Sequence, residues 1–260
     1  MKKNQYPFRL GCTSYVYPDD ILPNVRKMAT LVDDIEILLF ESDSLSNLPG
    51  EPVVQELSHL AELHDITYTI HFPIDLKAGS IHEEQRREFG RQVEKIINLT
   101  KPLDPFGYIL HFEGIDRAAS PARQGEWKKA ILETCDRIKA ISWLDKSKIC
   151  VESLGYPIEW HQPIVGRYGF SYCLDIGHLW KYEFDWEAEC EKYLAQTRVI
   201  HLHGVSEGKD HISLKNSKME MLSRFVNTCL RGYSNVVTLE LFSQLETFES
   251  FEILESIWGK

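Results

Sequence analysis

The chain has 260 residues and a mass of 30.2 kDa, with 43% hydrophobic and 26% charged residues and a formal net charge of -10. This composition is ordinary for a globular protein with a full core, and the length admits one large α/β barrel. The acidic balance argues against nucleic-acid binding, because a protein that holds phosphates by displacing counterions needs a surplus of Lys and Arg.

The amino-terminal segment contains no apolar run of the length found in a signal-peptide core, and no window of the sequence approaches a membrane span. The cysteines are scattered in apolar surroundings without a CxxC pair, which is typical of reduced, buried thiols. They are Cys12, Cys135, Cys150, Cys173, Cys190 and Cys229. We therefore expect a cytoplasmic protein without a membrane partner.

Short apolar runs alternate with longer amphipathic segments along the whole chain, and this rhythm indicates βαβ units. Eight runs are predicted as strands. In chain order they are FRLGCTSYV (from Phe8), DIEILLFES (from Asp34), ITYTIHFPI (from Ile66), FGYILHFEG (from Phe106), SKICVESLG (from Ser147), FSYCLDIGH (from Phe170), RVIHLHGVS (from Arg198) and NVVTLELFS (from Asn235).

The segments between these strands carry helical patterns. The segment from Glu83 has apolar residues at spacings of three and four, and Ser120 with Pro121 is typical of a helix start. DWEAECEKYLAQ, MLSRFVNTCL and TFESFEILESIW are predicted as later helices, whereas Pro163 and Gly166 predict a short helix between strands five and six. Eight alternations without a nucleotide-binding glycine motif predict an α/β fold, a single (β/α)8 TIM barrel over residues 1–260.

A side chain that can ligate metal follows the apolar run of each of the last six strands. In chain order these residues are His71, His111, Glu152, Asp175, His201 and Glu240. The carboxyl ends of barrel strands meet at one rim, where active sites of this fold are built. Burying a ring of carboxylates and imidazoles costs several kcal/mol for each uncompensated group, so the pattern predicts a cation at its centre.

The ligand types favour Zn, Mn, Fe or Co over Ca or Mg alone. Glu152, Asp175, His201 and Glu240 suffice for one ion, and the remaining candidates are His71, His111, His178 and His211. Eight candidates predict two or three divalent ions that share carboxylate bridges, an arrangement suited to a phosphate ester.

The loop after strand seven holds further candidates. His201 and His203 have the same strand parity, and we expect His201 to bind metal and His203 to contact substrate. Asp210 and His211 are predicted as metal ligands farther along the loop, and Lys209 as a substrate contact. Lys77, Arg86, Lys209 and Lys215 are candidate phosphate contacts.

The set HFP, LHFEG, VES, LDIGH, IHLHG, DH and LELF resembles the xylose-isomerase-like barrel superfamily, which includes sugar isomerases, epimerases and endonuclease IV. The resemblance implies metal ligands at Glu152, Asp175, His178, His201 and Glu240. The endonuclease IV relatives imply further ligands at His71, His111 and the region of Asp210 and His211. The chain departs from the nuclease pattern at Gly204, where nucleases commonly have Asp, and in the adjacency of Asp210 and His211.

The segment RLGCTSYVYPDDILPNVRKMATLVDDIEILLFES is similar to the opening of the cobamide-remodelling phosphodiesterases, a branch of the same superfamily. This resemblance implies a corrinoid substrate whose nucleotide loop is hydrolysed to cobinamide phosphate and an α-riboside. For such a hydrolysis we predict Glu152 and Glu240 as the catalytic residues. The residues themselves leave open a sugar or sugar-phosphate isomerase or epimerase with a single Mn-type ion. An apurinic endonuclease and a noncatalytic corrinoid-binding protein are further alternatives.

Overall fold

Eight parallel strands close into a barrel with helices outside it, as the sequence predicts. The structure is a computed structural model that describes residues 3–41, 46–74 and 77–259. The barrel strands are β1 (Arg9–Thr13), β2 (Asp34–Leu38), β3 (Thr67–His71), β4 (Gly107–Leu110), β5 (Ile149–Glu152), β6 (Ser171–Asp175), β7 (Thr197–Leu202) and β10 (Val236–Leu239). Their order around the barrel is β1-β10-β7-β6-β5-β4-β3-β2.

Nine α-helices lie in the described part of the chain. They are α1 (Ile21–Met28), α2 (Glu51–His64), α3 (Glu83–Thr100), α4 (Pro121–Ala140), α5 (Gln162–Tyr168), α6 (Ile176–Lys181), α7 (Trp186–Tyr193), α8 (Met219–Phe225) and α9 (Gln244–Trp258). Ser120 caps α4 by accepting the backbone N–H of Arg123 at 3.3 Å. The helix between strands five and six is short, as predicted.

The structure differs from the sequence prediction in one added element and in the ends of the strands. A two-stranded antiparallel hairpin, β8 (Gly204–Ser206) with β9 (Lys209–Ile212), follows β7. All eight barrel strands end before their predicted runs do; the second, for example, ends at Leu38, and the last residue of its predicted run, Ser42, lies outside the described residues. All six cysteines are buried free thiols. Within the described ranges, no helix combines the length and apolar character that a membrane crossing needs.

The barrel interior is closed at its lower end by a small apolar cluster. Its members, one from each of five neighbouring strands, are Ile109, Cys150, Cys173, Val199 and Val236. Side chains two positions apart on a strand point to the same face. The next inward residue after each of the first four is therefore a predicted metal ligand: His111, Glu152, Asp175 and His201. The alternation of side chains along each strand thus places the candidate site directly above this apolar cluster.

Candidate metal centre

Glu152 is the hub of the candidate centre. It is 1% exposed, and its Oε2 lies 2.8 Å from Nε2 of His111, 3.6 Å from Nε2 of His71 and 3.5 Å from Nδ1 of His201. Its other oxygen, Oε1, lies 3.4 Å from Nδ1 of His178. Residues from five strand ends therefore converge on one carboxylate, as the sequence pattern predicts.

Asp175 and Glu240 extend the centre on either side. Oδ1 of Asp175 accepts the backbone N–H of His178 at 2.8 Å and so caps α6, while Oδ2 lies 3.0 Å from Nδ1 of the same histidine. Oε2 of Glu240 lies 3.1 Å from Nδ1 of His201 and 3.2 Å from Nε2 of His211. His201 therefore lies between two carboxylates of the centre.

The candidate ligand atoms form overlapping groups whose members lie within 4.8 Å of one another. Three of these groups are His71 with His111 and Glu152; Glu152 with Asp175, His201 and Glu240; and Asp175 with His178, His203 and His211. Glu152 belongs to the first two groups and Asp175 to the last two. Shared carboxylates of this kind can bridge neighbouring ions.

The residues fit divalent ions by their donor types and by one unpaired atom. Imidazole and carboxylate together suit Zn, Mn, Fe or Co. Nδ1 of His201 is fully buried and has no hydrogen-bond partner among the described residues, although two carboxylate oxygens lie close to it. A buried polar atom is normally satisfied, so this nitrogen marks a position that a cation would complete.

Hydrogen bonds fix which nitrogen three of the histidines present. Nδ1 of His71 lies 2.8 Å from the carbonyl oxygen of Phe72, and Nδ1 of His178 lies 3.1 Å from that of Ser153. A carbonyl only accepts, so the ring proton sits on Nδ1 and the lone pair on Nε2. In His201 the two nitrogens exchange these roles. Its Nε2 lies 2.8 Å from the Glu36 carboxylate, so the proton sits on Nε2 and the lone pair on Nδ1. Anchors of this kind orient ligating imidazoles.

His203 differs from the other histidines and from the expectation that it contacts substrate. It is fully buried and does not line the cavity described below. Its Nδ1 accepts the backbone N–H of His211 at 3.0 Å and also lies 3.3 Å from the carbonyl oxygen of Gly204, while its Nε2 is 3.1 Å from Oδ1 of Asp175. The shorter contact with His211 favours the lone pair on Nδ1 and the proton on Nε2. With the proton on Nε2, His203 donates to Asp175 and its Nδ1 is engaged by the backbone of His211.

The charges of the centre are strongly coupled. Burial alone would raise the pKa of Glu152, but the facing His111 and His201 outweigh it and hold the pKa well below its usual range. Burial would likewise lower the pKa of His111 and His178, yet the adjacent carboxylates raise these pKa values to about 10 and about 12. Protons on the imidazoles balance the carboxylates, and divalent ions would replace those protons.

The β8–β9 hairpin brings His211 and Asp210 to the centre. His211 adopts a left-handed backbone with φ of 52°, and its ring stacks on His203 with centroids 4.1 Å apart. Oδ2 of Asp210 is 2.6 Å from Nζ of Lys181 and 3.8 Å from Nε2 of His178. Asp210 therefore lies at the edge of the centre and is paired with a lysine, whereas His211 contacts Glu240 directly.

A cavity of about 1840 Å³ opens over the centre. Its floor includes His71, His111, Glu152, His178, His211 and Glu240. Its walls are largely apolar and come from the loops after several strands, with aromatic and aliphatic members Tyr15, Val16, Tyr17, Leu39, Phe40, Phe72, Ile74, Ile81, Ile115, Tyr156, Tyr182 and Phe242. The centre is thus reached through a wide, largely apolar chamber.

The predicted phosphate contacts are placed in different surroundings. Lys77 lines the cavity. Arg86 is bound to Glu133 at 2.8 Å, and Lys215 is bound to Glu249. Lys209 is exposed on the hairpin and does not line the cavity. Of these four basic residues, only Lys77 faces the space above the centre.

Sequence reasoning missed three residues that the structure places here. Arg117 and Arg123 line the cavity, and each donates to a backbone carbonyl: Arg117 to Tyr182 at 2.9 Å and Arg123 to Gly114 at 2.6 Å. Glu36 was missed because it stands inside the apolar run of β2 rather than at its end. An acid at an inward position of a buried strand is the pattern that could have revealed it.

A scan against protein-family models finds no match to this chain, and no curated protein sequence matches it. Solved structures do match. A D-tagatose 3-epimerase-like protein has 19% identity and a TM-score of 0.77, with 97% of each chain covered. Endonuclease IV from Thermus thermophilus has 16% identity and a TM-score of 0.73, covering 96% of this chain and 99% of that one.

The IOLI protein, solved with a zinc atom, has 15% identity and a TM-score of 0.69, covering 97% of this chain and 96% of its own. At such identities the likeness establishes the fold, a xylose-isomerase-like TIM barrel. The predicted fold class is therefore confirmed.

Proposed function

We propose that the protein is a metal-dependent phosphodiesterase that opens the nucleotide loop of cobamides, releasing cobinamide phosphate and an α-riboside. The observation that carries the proposal is the large apolar chamber above an acid and imidazole floor. Pockets for ordinary small ligands occupy about 300–1,000 Å³. A cavity of about 1840 Å³ suits a bulky substrate such as a corrinoid better than a single sugar.

The segments that carry the resemblance to cobamide-remodelling phosphodiesterases form part of this chamber. Two short segments line the cavity: residues 15–18 follow β1, and residues 38–40 comprise the last residue of β2 and the two residues after it. The similarity therefore falls on residues that would contact a substrate, in addition to those that build the barrel.

The centre would hold two or three ions of the Zn, Mn, Fe or Co type. Such ions lower the pKa of water and neutralise phosphoryl oxygens when bound. Glu152 would bridge two ion positions, since it belongs to two ligand groups, and Asp175 would do the same on the other side. Glu240 lines the cavity and would orient the attacking water beside the phosphate.

Basic residues of the cavity would hold the phosphate and the substrate's polar edge. Lys77, Arg117 and Arg123 stand in the wall, together with the acids Glu113 and Asp116. Arg117 and Arg123 are each tied to a backbone carbonyl, so their guanidinium groups are already oriented. Pre-orientation of this kind lowers the entropy lost on binding.

The second candidate is a sugar or sugar-phosphate epimerase. Glu152, Asp175, His201 and Glu240 form a four-residue group that could hold a single ion, and Glu152 and Glu240 could exchange a proton with carbon. Structures with matching folds include an L-ribulose 3-epimerase and the 3-keto-D-glucoside 4-epimerase YcjR from E. coli. This candidate predicts one ion per chain and turnover of ketoses.

The net charge and the state of the cysteines support the proposed partner and the proposed compartment. The net charge of -10 favours a small-molecule partner over a DNA backbone. Six buried free thiols suit the reducing cytoplasm.

The test incubates metal-loaded protein with adenosylcobalamin under reducing conditions and separates the corrinoid products. Parallel reactions contain ketose sugars and abasic duplex DNA. We expect cobinamide phosphate and riboside from the wild type, and at least about 10³-fold slower turnover from Glu152→Gln, equivalent to about 4 kcal/mol in the barrier. Turnover of ketoses alone would replace the proposal with the epimerase, and an unchanged cobamide that stays bound would indicate a carrier.

A further inference from the structure

Glu36 reaches across the barrel lumen to His201. The two residues lie on β2 and β7, which are separated around the barrel by β1 and β10. Both side chains are fully buried, and Oε2 of Glu36 is 2.8 Å from Nε2 of His201. Glu36 does not line the cavity.

This contact determines which nitrogen of His201 faces the centre. An ionised carboxylate can only accept, so the proton of the neutral imidazole lies on Nε2 and the lone pair on Nδ1. Nδ1 is the atom that lies 3.1 Å from Glu240 and 3.5 Å from Glu152, without a hydrogen bond of its own among the described residues. The anchored tautomer thus exposes the lone pair to the carboxylates.

We propose that Glu36 is a positioning residue of the metal centre, which makes His201 a ligand through Nδ1 by accepting the proton on Nε2. A carboxylate behind a ligating histidine fixes the ring and raises its basicity. The inference rests on the metal centre proposed above and is independent of the substrate.

Glu36 also belongs to a candidate ligand group with His71 and Glu240, whose ligand atoms lie within 4.8 Å of one another, but its direct contact is with Nε2 of His201 at 2.8 Å. Its Oε2 is occupied by His201, and its Oε1 is buried without a hydrogen-bond partner in the described part of the chain. His71, with its own anchor on the Phe72 carbonyl, supplies the neighbouring lone pair. His71 and His201 therefore supply lone pairs to the centre, and Glu36 fixes the ring of His201 through its other nitrogen, Nε2.

The first test measures ion binding by Glu36→Gln, with Asp34→Asn as the matched control. Asp34 lies on the same strand, is equally buried and has one unpaired oxygen, but its hydrogen bond goes to Thr67. The glutamine amide can donate to Nε2 as well as accept from it, so it no longer enforces one tautomer. Chelator competition with zinc should show one ion bound about 10- to 100-fold more weakly in Glu36→Gln, and wild-type affinity in Asp34→Asn.

The second readout is structural and independent of activity. In zinc-loaded protein labelled with ¹⁵N-histidine, the Nε2 of His201 should carry the proton and Nδ1 should show the metal-bound shift, with the signal assigned by loss in His201→Gln. Thermal unfolding of each metal-free protein supplies its own reference midpoint, and zinc should raise the midpoint of Glu36→Gln less than that of the wild type.

The possible outcomes distinguish the metal centre from the role of Glu36. Wild-type protein that takes up no divalent ion would overturn both the centre and the role of Glu36. Ions bound equally by wild type and Glu36→Gln, an equal loss in Asp34→Asn, or zinc on Nε2 of His201 would overturn the role of Glu36 alone.

Discussion

The ring of His203 lies against the backbone of Gly177 so closely that a β-carbon at Gly177 would overlap its Cε1. The ring cannot retreat freely, because His211 stacks on it with centroids 4.1 Å apart. Position 177 of the DIGH segment therefore requires glycine, because a larger residue would displace His203, whose Nε2 contacts Asp175.

Gly177→Ala should push His203 away from Asp175. We expect a loss of about 1–3 kcal/mol in the free energy of unfolding, as is typical of overpacking, and weaker ion binding. Gly125→Ala in α4 is the control, because a β-carbon there meets nothing within 4 Å. It should raise stability by about 0.5–1 kcal/mol. Urea unfolding measures the stability of both variants, and metal analysis measures their bound ions. Equal stability and equal ion binding in Gly177→Ala and Gly125→Ala would contradict the packing argument.

His203→Gln should keep the wild-type number of ions per chain. The glutamine carbonyl can accept from His211 and its amide can donate to Asp175, which are the two hydrogen bonds of His203. His178→Gln should lose one ion, since Nε2 of His178 supplies a lone pair. Plasma emission analysis after dialysis measures the number of ions per chain in both variants. An equal loss of ions in His203→Gln and His178→Gln would show that His203 is a ligand.

His161 should make the fold sensitive to acid. Its ring is fully buried against Tyr156 and Phe112, neither nitrogen has a hydrogen-bond partner among the described residues, and burial lowers its pKa from 6.5 to about 3. The unfolded chain takes up the proton first as pH falls, so this contribution to stability is complete above about 6.5 and is lost between 6.5 and 3.

His161→Phe removes this titration and keeps an aromatic ring in the aromatic pocket. Between pH 7 and pH 5 the wild type should lose about 2 kcal/mol more unfolding free energy than the variant. Urea unfolding at the two pH values gives this double difference, in which the other titrating groups cancel. An equal loss in both proteins would mean that the ring is protonated or solvated when folded.

Phe242→Ala should weaken substrate binding without removing ions. The ring lines the cavity, is 47% exposed and stacks on His211 with centroids 5.4 Å apart. Loss of an aromatic contact of about 1.4 kcal/mol would raise KM about tenfold at similar kcat. Leu245→Ala is the control, because Leu245 is 69% exposed and lies outside the cavity. A similar KM in Phe242→Ala and wild type would mean that substrate avoids this wall.

The fold and much of the centre could be predicted because both depend on local patterns. Apolar runs with an acid or imidazole at the end mark the barrel strands and place His111, Glu152 and Asp175 at one rim. The roles of His203 and Glu36 could not be predicted in this way. His203 is defined by a backbone N–H from the hairpin, and Glu36 by a contact across the lumen, and both depend on closure of the barrel.

The hairpin and the cavity walls could not be predicted from the hydrophobic pattern either. The β8–β9 segment is short and polar, so it lacks the alternation that identifies a buried strand. Lys209 and Asp210 were predicted from their place in the loop after strand seven and, for Asp210, from the family resemblance, whereas their positions depend on how the turn at Glu207 and Gly208 folds back, with φ of 51° and 77°.

The anchors of the imidazoles belong to the barrel itself: the carbonyls of Phe72 and Ser153 next to strand ends, and Glu36 within a strand. The chamber walls come largely from separate loops, and of the three anchoring residues only Phe72 also lines the cavity. Loop sequences could consequently be exchanged to admit different molecules while the reactive floor keeps its alignment. The metal-ligating side chains and the surfaces that would recognise a ligand are therefore carried by separate parts of the fold, so that recognition could be redesigned while the centre is kept.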